Sequence, residues 1–257
     1  MTDWRTNSDM FCTDGHTLSV IHVLPRMCFS ASASFTASAV LVPLGLYSHH
    51  LATRHERPDY KPLALVPFFF GVQQFVEGLE WTAIDGGNIE PLATIGGLGF
   101  LFFAYCFWMI WIPWSAWSIS RSTDSKGLQR RLKWVAIVAT VLGIAFYLPM
   151  LFNPPAIQPA VHSNGRLLYD IASLRSIFHN FVNTEPVGEL VYWGFIVLPL
   201  LAVRDKAVKL FGALIFVSIF LTWATYSATF NSVWCFYCAV LSIMVIWIVN
   251  RPHLRQA

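Results

Sequence analysis

Seven apolar segments, separated by short polar stretches, set the pattern of the chain. Most are close to the roughly 20 residues that a helix needs to cross the hydrocarbon core of a bilayer. They are too long and too uniformly apolar to be the alternating strands of a membrane barrel. We therefore predict an all-α fold, an integral membrane bundle of seven transmembrane helices. The segments are 28–48, 62–83, 92–119, 132–152, 187–203, 207–227 and 231–250.

Two stretches outside these segments are long. Residues 1–26 contain acidic residues and lack the apolar core and small-residue cleavage site of a signal peptide. We interpret them as a polar N-terminal tail, with a misassigned start and translation from Met27 as the alternative. Residues 27–257 then form a single seven-helix membrane domain, and a loop at about 153–186 projects on the outer side.

The basic residues predict the orientation of the bundle. If the segments alternate in direction, 13 of the 17 lysines and arginines fall on one side of the membrane. Cytoplasmic loops carry this excess of positive charge. We expect the N-terminus outside and the C-terminus in the cytoplasm. The 13 residues are Arg54, Arg57, Lys61, Arg121, Lys126, Arg130, Arg131, Lys133, Arg204, Lys206, Lys209, Arg251 and Arg255.

The composition supports the membrane class and argues against nucleic acid as a partner. The chain is 56% hydrophobic and 12% charged, against about 25% charged residues in soluble domains. A net charge of +3 without a basic cluster argues against nucleic-acid binding. The expected partners are the lipid bilayer, a small molecule or cation, and other membrane proteins. We expect a multi-pass protein of the cell inner (plasma) membrane, with tryptophans 108, 111, 114 and 117 as an interfacial belt.

The first segment opens with small residues and serines. In a helix, Ser30, Ser34 and Ser38 lie on one face at spacings of four. Small residues let helix backbones approach closely within a membrane. We expect the first helix to be central or tightly held by its neighbours. Ordinary packing accounts for the serines, and a polar lining for a ligand is the alternative, which makes Ser30 and Ser34 candidate site residues.

An acidic residue in the second segment is the strongest candidate for chemistry. Gln73, Glu77 and Trp81 share one helix face, and Gln74 is a neighbour of Glu77. Ionisable side chains inside a membrane are costly and commonly functional. The two glutamines are donors for a carboxylate held out of lipid. Glu80 is expected nearer the headgroups and in contact with water.

Thiols are expected at the same depth as Glu77. Cys28 begins the first segment, and the last begins with Trp234, Cys235 and Cys238. A disulfide between Cys28 and Cys235 is one interpretation, because the outer compartment is oxidising. A redox or metal site that includes His162 is another, although a zinc site needs four ligands. We identify no confident metal ligand set and leave the cofactor open.

Three stretches together resemble a known group of proteins. They are MCFSASASF at Met27, FFFGVQQFVEGLEW at 68–81 and SVWCFYCAVLS at 232–242. They are similar to an uncharacterised family of bacterial and archaeal polytopic membrane proteins that begin Met-Cys-Phe-Ser and carry QQ-x-x-EG-x-x-W and WCF elements. The family implies no activity. The resemblance marks as positions to test Cys28, Gln74, Glu77, Trp81, Trp234 and Cys235.

Three functions fit these observations. The first is binding or transport of a small ligand, lipid or ion in a pocket of the outer half around Glu77, with Trp81 closing its mouth. The second is an intramembrane enzyme with Cys28 or Cys235 as nucleophile and Glu77 or His162 as base. The third is a structural subunit of a larger membrane complex.

Overall fold

The structure is a computed structural model, and it describes residues 30–87, 92–152, 159–161, 167–169, 185–226 and 230–251. Within these ranges, six helical stretches are long and apolar enough to cross a membrane. The coarse prediction of a multi-pass helical membrane protein is therefore confirmed. The remaining predicted segment, the fifth at 187–203, is a helix whose apolar part, Leu190–Ala202, is shorter than the other six. A count of seven spans and the orientation stay predictions.

The described chain contains ten α-helices, one 3-10 helix at Pro58–Tyr60, one π-helical turn at Phe102–Phe107 and one pair of short strands. The strands, β1 and β2, pair antiparallel and fall in the predicted outer loop, so the chain departs from purely α structure there. The elements are α1 Ala31–Arg54, α2 Lys61–Ala64, α3 Val66–Asp85, α4 Leu92–Leu101, α5 Trp108–Thr123, α6 Lys126–Phe152, β1 Pro159–Val161, β2 Leu167–Tyr169, α7 Glu185–Ala202, α8 Lys206–Tyr226, α9 Phe230–Ser242 and α10 Met244–Asn250.

The closest helix packing joins α1 to α3. At Gly45 an added Cβ would lie 2.1 Å from the backbone nitrogen of Phe68, and at Gly71 it would lie 2.8 Å from that of Val42. The two backbones touch because neither position carries a side chain. On its other side α1 exposes Leu46 and Tyr47. The helix is therefore held along one face and is not central.

The third apolar segment is one continuous rod with an altered middle. Helix α4 passes through a π-helical turn, Phe102–Phe107, before α5 begins at Trp108. A π-turn widens the helix and shifts the residues that follow it around the axis. Tyr192 of α7 donates a hydrogen bond to the Ala104 carbonyl inside the turn. The turn thus provides an acceptor that ties the third segment to α7.

Helices α1, α5, α7 and α10 end on the same side of the bundle, which we call the basic end. Polar side chains connect the helices there. Arg57 is buried, and its guanidinium donates to the carbonyls of Ile248, Val249 and Arg251. These are carbonyls at the end of α10 that have no partner within the helix. Arg57 therefore caps the last helix from the loop after the first.

Asp205 holds a second set of contacts at the basic end. It accepts two hydrogen bonds of 2.8 Å from Arg251 and one from Tyr60. It also accepts from the backbone nitrogen of Ala207 at 2.9 Å, as an N-cap of α8. An ion pair between Arg121 and Asp59 lies nearby. The loops predicted to share one membrane side are therefore in contact with one another.

Candidate functional site

Glu77 lies past the midpoint of α3 and is only 2% exposed. The Gln74 side-chain amide donates to Glu77 Oε2 at 2.8 Å, one helical turn away. Gln74 itself is 1% exposed. A carboxylate taken out of water is stabilised by such a donor. The structure brings Gln74 and Glu77 together as the spacing predicts.

Gln73 points to a different helix. Trp108 Nε1 donates to Gln73 Oε1 at 2.7 Å, and both side chains are buried. Trp108 follows the π-helical turn directly, so the turn decides which way this indole faces. Stacking of the Trp108 ring on Phe70, with centroids 3.9 Å apart, fixes it further. Trp108 is a site residue that the sequence analysis did not identify.

The other tryptophans of the predicted interfacial belt also make contacts between helices. Trp111 Nε1 donates to the Pro62 carbonyl, and Trp114 Nε1 donates to the Thr140 hydroxyl. Trp117 packs against Trp114 and under the Arg121 guanidinium. The belt interpretation is wrong for Trp108, which is 4% exposed. Indole N–H groups inside a protein seek acceptors, and here neighbouring segments provide them.

Cys235 of α9 reaches the same place. It is 3% exposed and lies close enough to Gln73 and Glu77 to interact with both side chains. It also belongs to a buried apolar group with Trp81. We call Gln73, Gln74, Glu77, Trp108 and Cys235 the Glu77 cluster. Three segments that are distant in sequence contribute to it.

Trp81 does not close the mouth of a pocket. It is buried beside Phe100 and Leu101 of α4. Among the residues that the structure describes, its Nε1–H has no hydrogen-bond partner. A buried donor of this kind is commonly met by water or a ligand oxygen.

Glu80 differs from its expected position. The prediction that it contacts water is wrong, because its side chain is 0% exposed. Helix α4 covers it: a Cβ at Gly96 would lie 3.0 Å from Glu80 Cβ. A side chain on Gly96 would push α4 away from this acid. The spacing of three from Glu77 places the two acids on adjoining positions of one helix face.

The two cysteines of α9, Cys235 and Cys238, lie in different apolar groups. Cys238 lies in the main apolar core and Cys235 in the group around Trp81. Next to them, Trp234 Nε1 donates to the Ser218 hydroxyl of α8 at 3.2 Å. Trp234 is thus tied to α8 and packs edge-on against Tyr192 of α7, with ring centroids 6.0 Å apart.

The two candidate serines, Ser30 and Ser34, have structural roles at the start of α1. Ser30 is the N-cap of α1, because its hydroxyl accepts from the Ala33 backbone nitrogen at 3.3 Å. Ser34 is buried on the inner face of α1. Both therefore fit the packing interpretation, and their assignment to a ligand site stays a prediction.

Cys28 and His162 lie outside the described residues. Cys235 is a free thiol, so the predicted Cys28–Cys235 disulfide is not present, and Cys235 instead faces Gln73 and Glu77 from a buried position. In the described ranges, no group of three or more His, Cys, Asp or Glu side chains is arranged to hold a metal ion.

Access to the Glu77 cluster is closed in this conformation. Gln73, Gln74 and Glu77 are each at most 2% exposed. A cavity of about 20 Å³ adjoins the cluster, lined by apolar side chains, Trp108 and the two thiols of α9. That volume holds at most about one water molecule. Among the described residues, Cys235 is likewise buried, at 3% exposed.

Comparison with known protein families finds a match that begins at residue 27. Residues 27–163, more than half of the chain, match the model of a family of unknown function, DUF6629. The chain belongs to this family. The matched region contains α1 to α6, including the glutamines and acids of α3 and Trp108. Membership supports the expected likeness to an uncharacterised family, and it assigns no activity.

Neither of the other two comparisons finds a match. No curated protein and no solved structure is similar to the chain at a significant level.

Proposed function

We propose that the protein is a membrane protein that binds a small cation, the proton included, at Glu77 in the half of the bundle away from the basic end. The observation that carries the proposal is the burial of Glu77 and Glu80, three residues apart on a membrane-spanning helix. Burying an acid in a membrane costs free energy, and an apolar residue could fill the same space without that cost. Two buried acids on one face of such a helix are typical of a binding or relay site.

Each member of the Glu77 cluster has a role in this proposal. Glu77 is the group that binds the cation, and Gln74 orients its carboxylate through the 2.8 Å hydrogen bond. Trp108 fixes Gln73, so that the amide remains directed into the cluster. The Trp81 indole N–H is a donor for a water that accompanies the ion. Release or transport requires a second conformation that opens the cluster.

The test uses purified protein in sealed lipid vesicles. Uptake of protons, Na⁺ and K⁺ is followed under an imposed gradient of each ion. We expect Glu77→Gln to abolish the uptake that wild type shows, because the amide cannot carry the charge. Asp85→Asn is the matched control, since it removes an exposed carboxylate from the same helix. Equal uptake by wild type and Glu77→Gln for all three ions would overturn the proposal.

A further inference from the structure

A long apolar groove lies between α6 and α7, on the outside of the bundle and away from the Glu77 cluster. Its volume is about 530 Å³, within the range of pockets that hold small molecules, about 300–1,000 Å³. Leu128 and Val135 line it from α6, and Leu190 and Gly194 line it from α7. Gly194 leaves it open, because a Cβ there would meet only Leu198, at 3.8 Å.

The length of the groove matches one leaflet of a bilayer. Its lining on α7 runs from Leu190 to Ala202, which is about 18 Å at 1.5 Å per residue. Half of a hydrocarbon core of about 30 Å is about 15 Å. A single acyl chain of one leaflet therefore fits along the groove, parallel to the helices.

One charged residue, Arg131, lines the groove. It lies near the start of α6, and so at the basic end, where the leaflet headgroups are. The groove is complementary to an anionic phospholipid: its apolar lining matches the acyl chain, and the Arg131 guanidinium at its end matches the phosphate. Arginine is well suited to bind phosphate through paired hydrogen bonds. Basic pockets between membrane helices bind anionic headgroups in this way.

We propose that the groove between α6 and α7 is a site for one anionic phospholipid of the leaflet at the basic end, with an acyl chain along Gly194 and its phosphate at Arg131. The site is independent of the proposed cation site.

The experiment measures lipid retention by native mass spectrometry of the detergent-solubilised protein. Phosphatidylglycerol and phosphatidylcholine with identical acyl chains are titrated, and bound lipid is counted for each. We expect wild type to prefer phosphatidylglycerol. Arg131→Gln should lower that preference about fivefold, the effect of one basic residue near an anionic headgroup. Arg130→Gln is the matched control, because Arg130 is exposed on the same helix but does not line the groove.

A second pair of variants tests the apolar part. Gly194→Leu fills the groove and should abolish the tightly held lipid, whereas Gly188→Leu should not. Gly188 is on the same helix, does not line the groove and also has open space at its Cβ. Equal losses in Arg131→Gln and Arg130→Gln would overturn the site, because only general surface attraction would remain. So would a wild-type dimer that Gly194→Leu converts to a monomer, since a second copy would then fill the groove.

Discussion

The basic end of the bundle and the Glu77 cluster both contain shielded acidic groups, but these have different partners. Asp205 is held by the charged Arg251 and by Tyr60. Glu77 is held by the neutral amide of Gln74. An acid paired with a fixed positive charge loses a strong interaction when it is protonated. The contacts of Asp205 therefore indicate a structural role, whereas the binding proposed for Glu77 rests on the burial of an acid within a membrane-spanning helix.

The largest loss of stability should come from the basic end. Arg57→Ala removes the guanidinium donor from the carbonyls of Ile248, Val249 and Arg251, and of these the Ile248 carbonyl keeps a second side-chain donor, Arg251 Nε. We expect a loss of about 3 kcal/mol in the free energy of unfolding, measured by chemical denaturation in detergent. Arg54→Ala is the control, because Arg54 is exposed on the same side. Similar losses in the two variants would show that Arg57 acts only as a surface charge.

Asp205→Asn should cost about 2 kcal/mol and should also change the response to acid. Burial acts to raise the pKa of Asp205, but the hydrogen bonds from Tyr60 and Arg251 outweigh it and hold the pKa below 3.8. A lowered pKa in the folded state gives stability that is complete above about pH 4 and is lost as the pH falls through the folded-state pKa.

The measurement is the unfolding midpoint of both proteins as the pH is lowered below about 4. Wild type should lose stability more steeply than Asp205→Asn, so the two curves should converge. Asp59→Asn serves for comparison: its partner Arg121 has a half-exposed side chain, and we expect a loss below about 1 kcal/mol. Parallel curves for wild type and Asp205→Asn would argue against a stabilising ionised Asp205.

A smaller effect is expected from Trp108→Phe. The change keeps an aromatic ring against Phe70 but removes the donor to Gln73 Oε1. We expect a loss of about 1 kcal/mol in unfolding free energy, because a buried acceptor loses its partner. Trp134→Phe, at an exposed position, is the control. If both substitutions are neutral, the indole does not orient the cluster.

Glu77→Gln should have the smallest effect on stability, below about 1 kcal/mol. The new amide retains an oxygen that can accept from Gln74 and has nearly the same volume. This is the opposite of the expectation for Asp205→Asn, although both changes remove one carboxylate. Thermal unfolding of the two variants side by side measures the contrast. A larger loss in Glu77→Gln than in Asp205→Asn would mean that Glu77 is a structural ion-pair partner.

Local spacing explains what the sequence could predict. Gln74 and Glu77 meet because they are three residues apart on a helix, and the membrane class follows from long apolar runs. Helix α7 is the element whose membrane span is hardest to predict, because its apolar part is short. The burial of Glu80 depends on α4 approaching at Gly96, a contact between segments that no local pattern records.

Other features depended on tertiary contacts. The π-helical turn has no sequence signature of its own, and it places Trp108 against Gln73. The sequence marks Arg57 and Arg251 only as positive charges that predict the orientation in the membrane. In the structure Arg57 also donates to backbone carbonyls, and Arg251 donates to Asp205. One signal for Asp205 was available: an aspartate directly before an apolar helix is a common N-cap.

The central claim is that the Glu77 carboxyl group binds the proton or another small cation, so that its protonation or ion contact changes when the ion binds. Infrared difference spectroscopy of the protein in lipid nanodiscs, before and after addition of the ion that vesicle uptake identifies or after a pH step, detects the carboxyl stretch of a protonated acid directly. The account predicts a carboxyl band that changes in wild type and in Asp85→Asn and is missing in Glu77→Gln. A difference spectrum that is the same in Glu77→Gln as in wild type would contradict it.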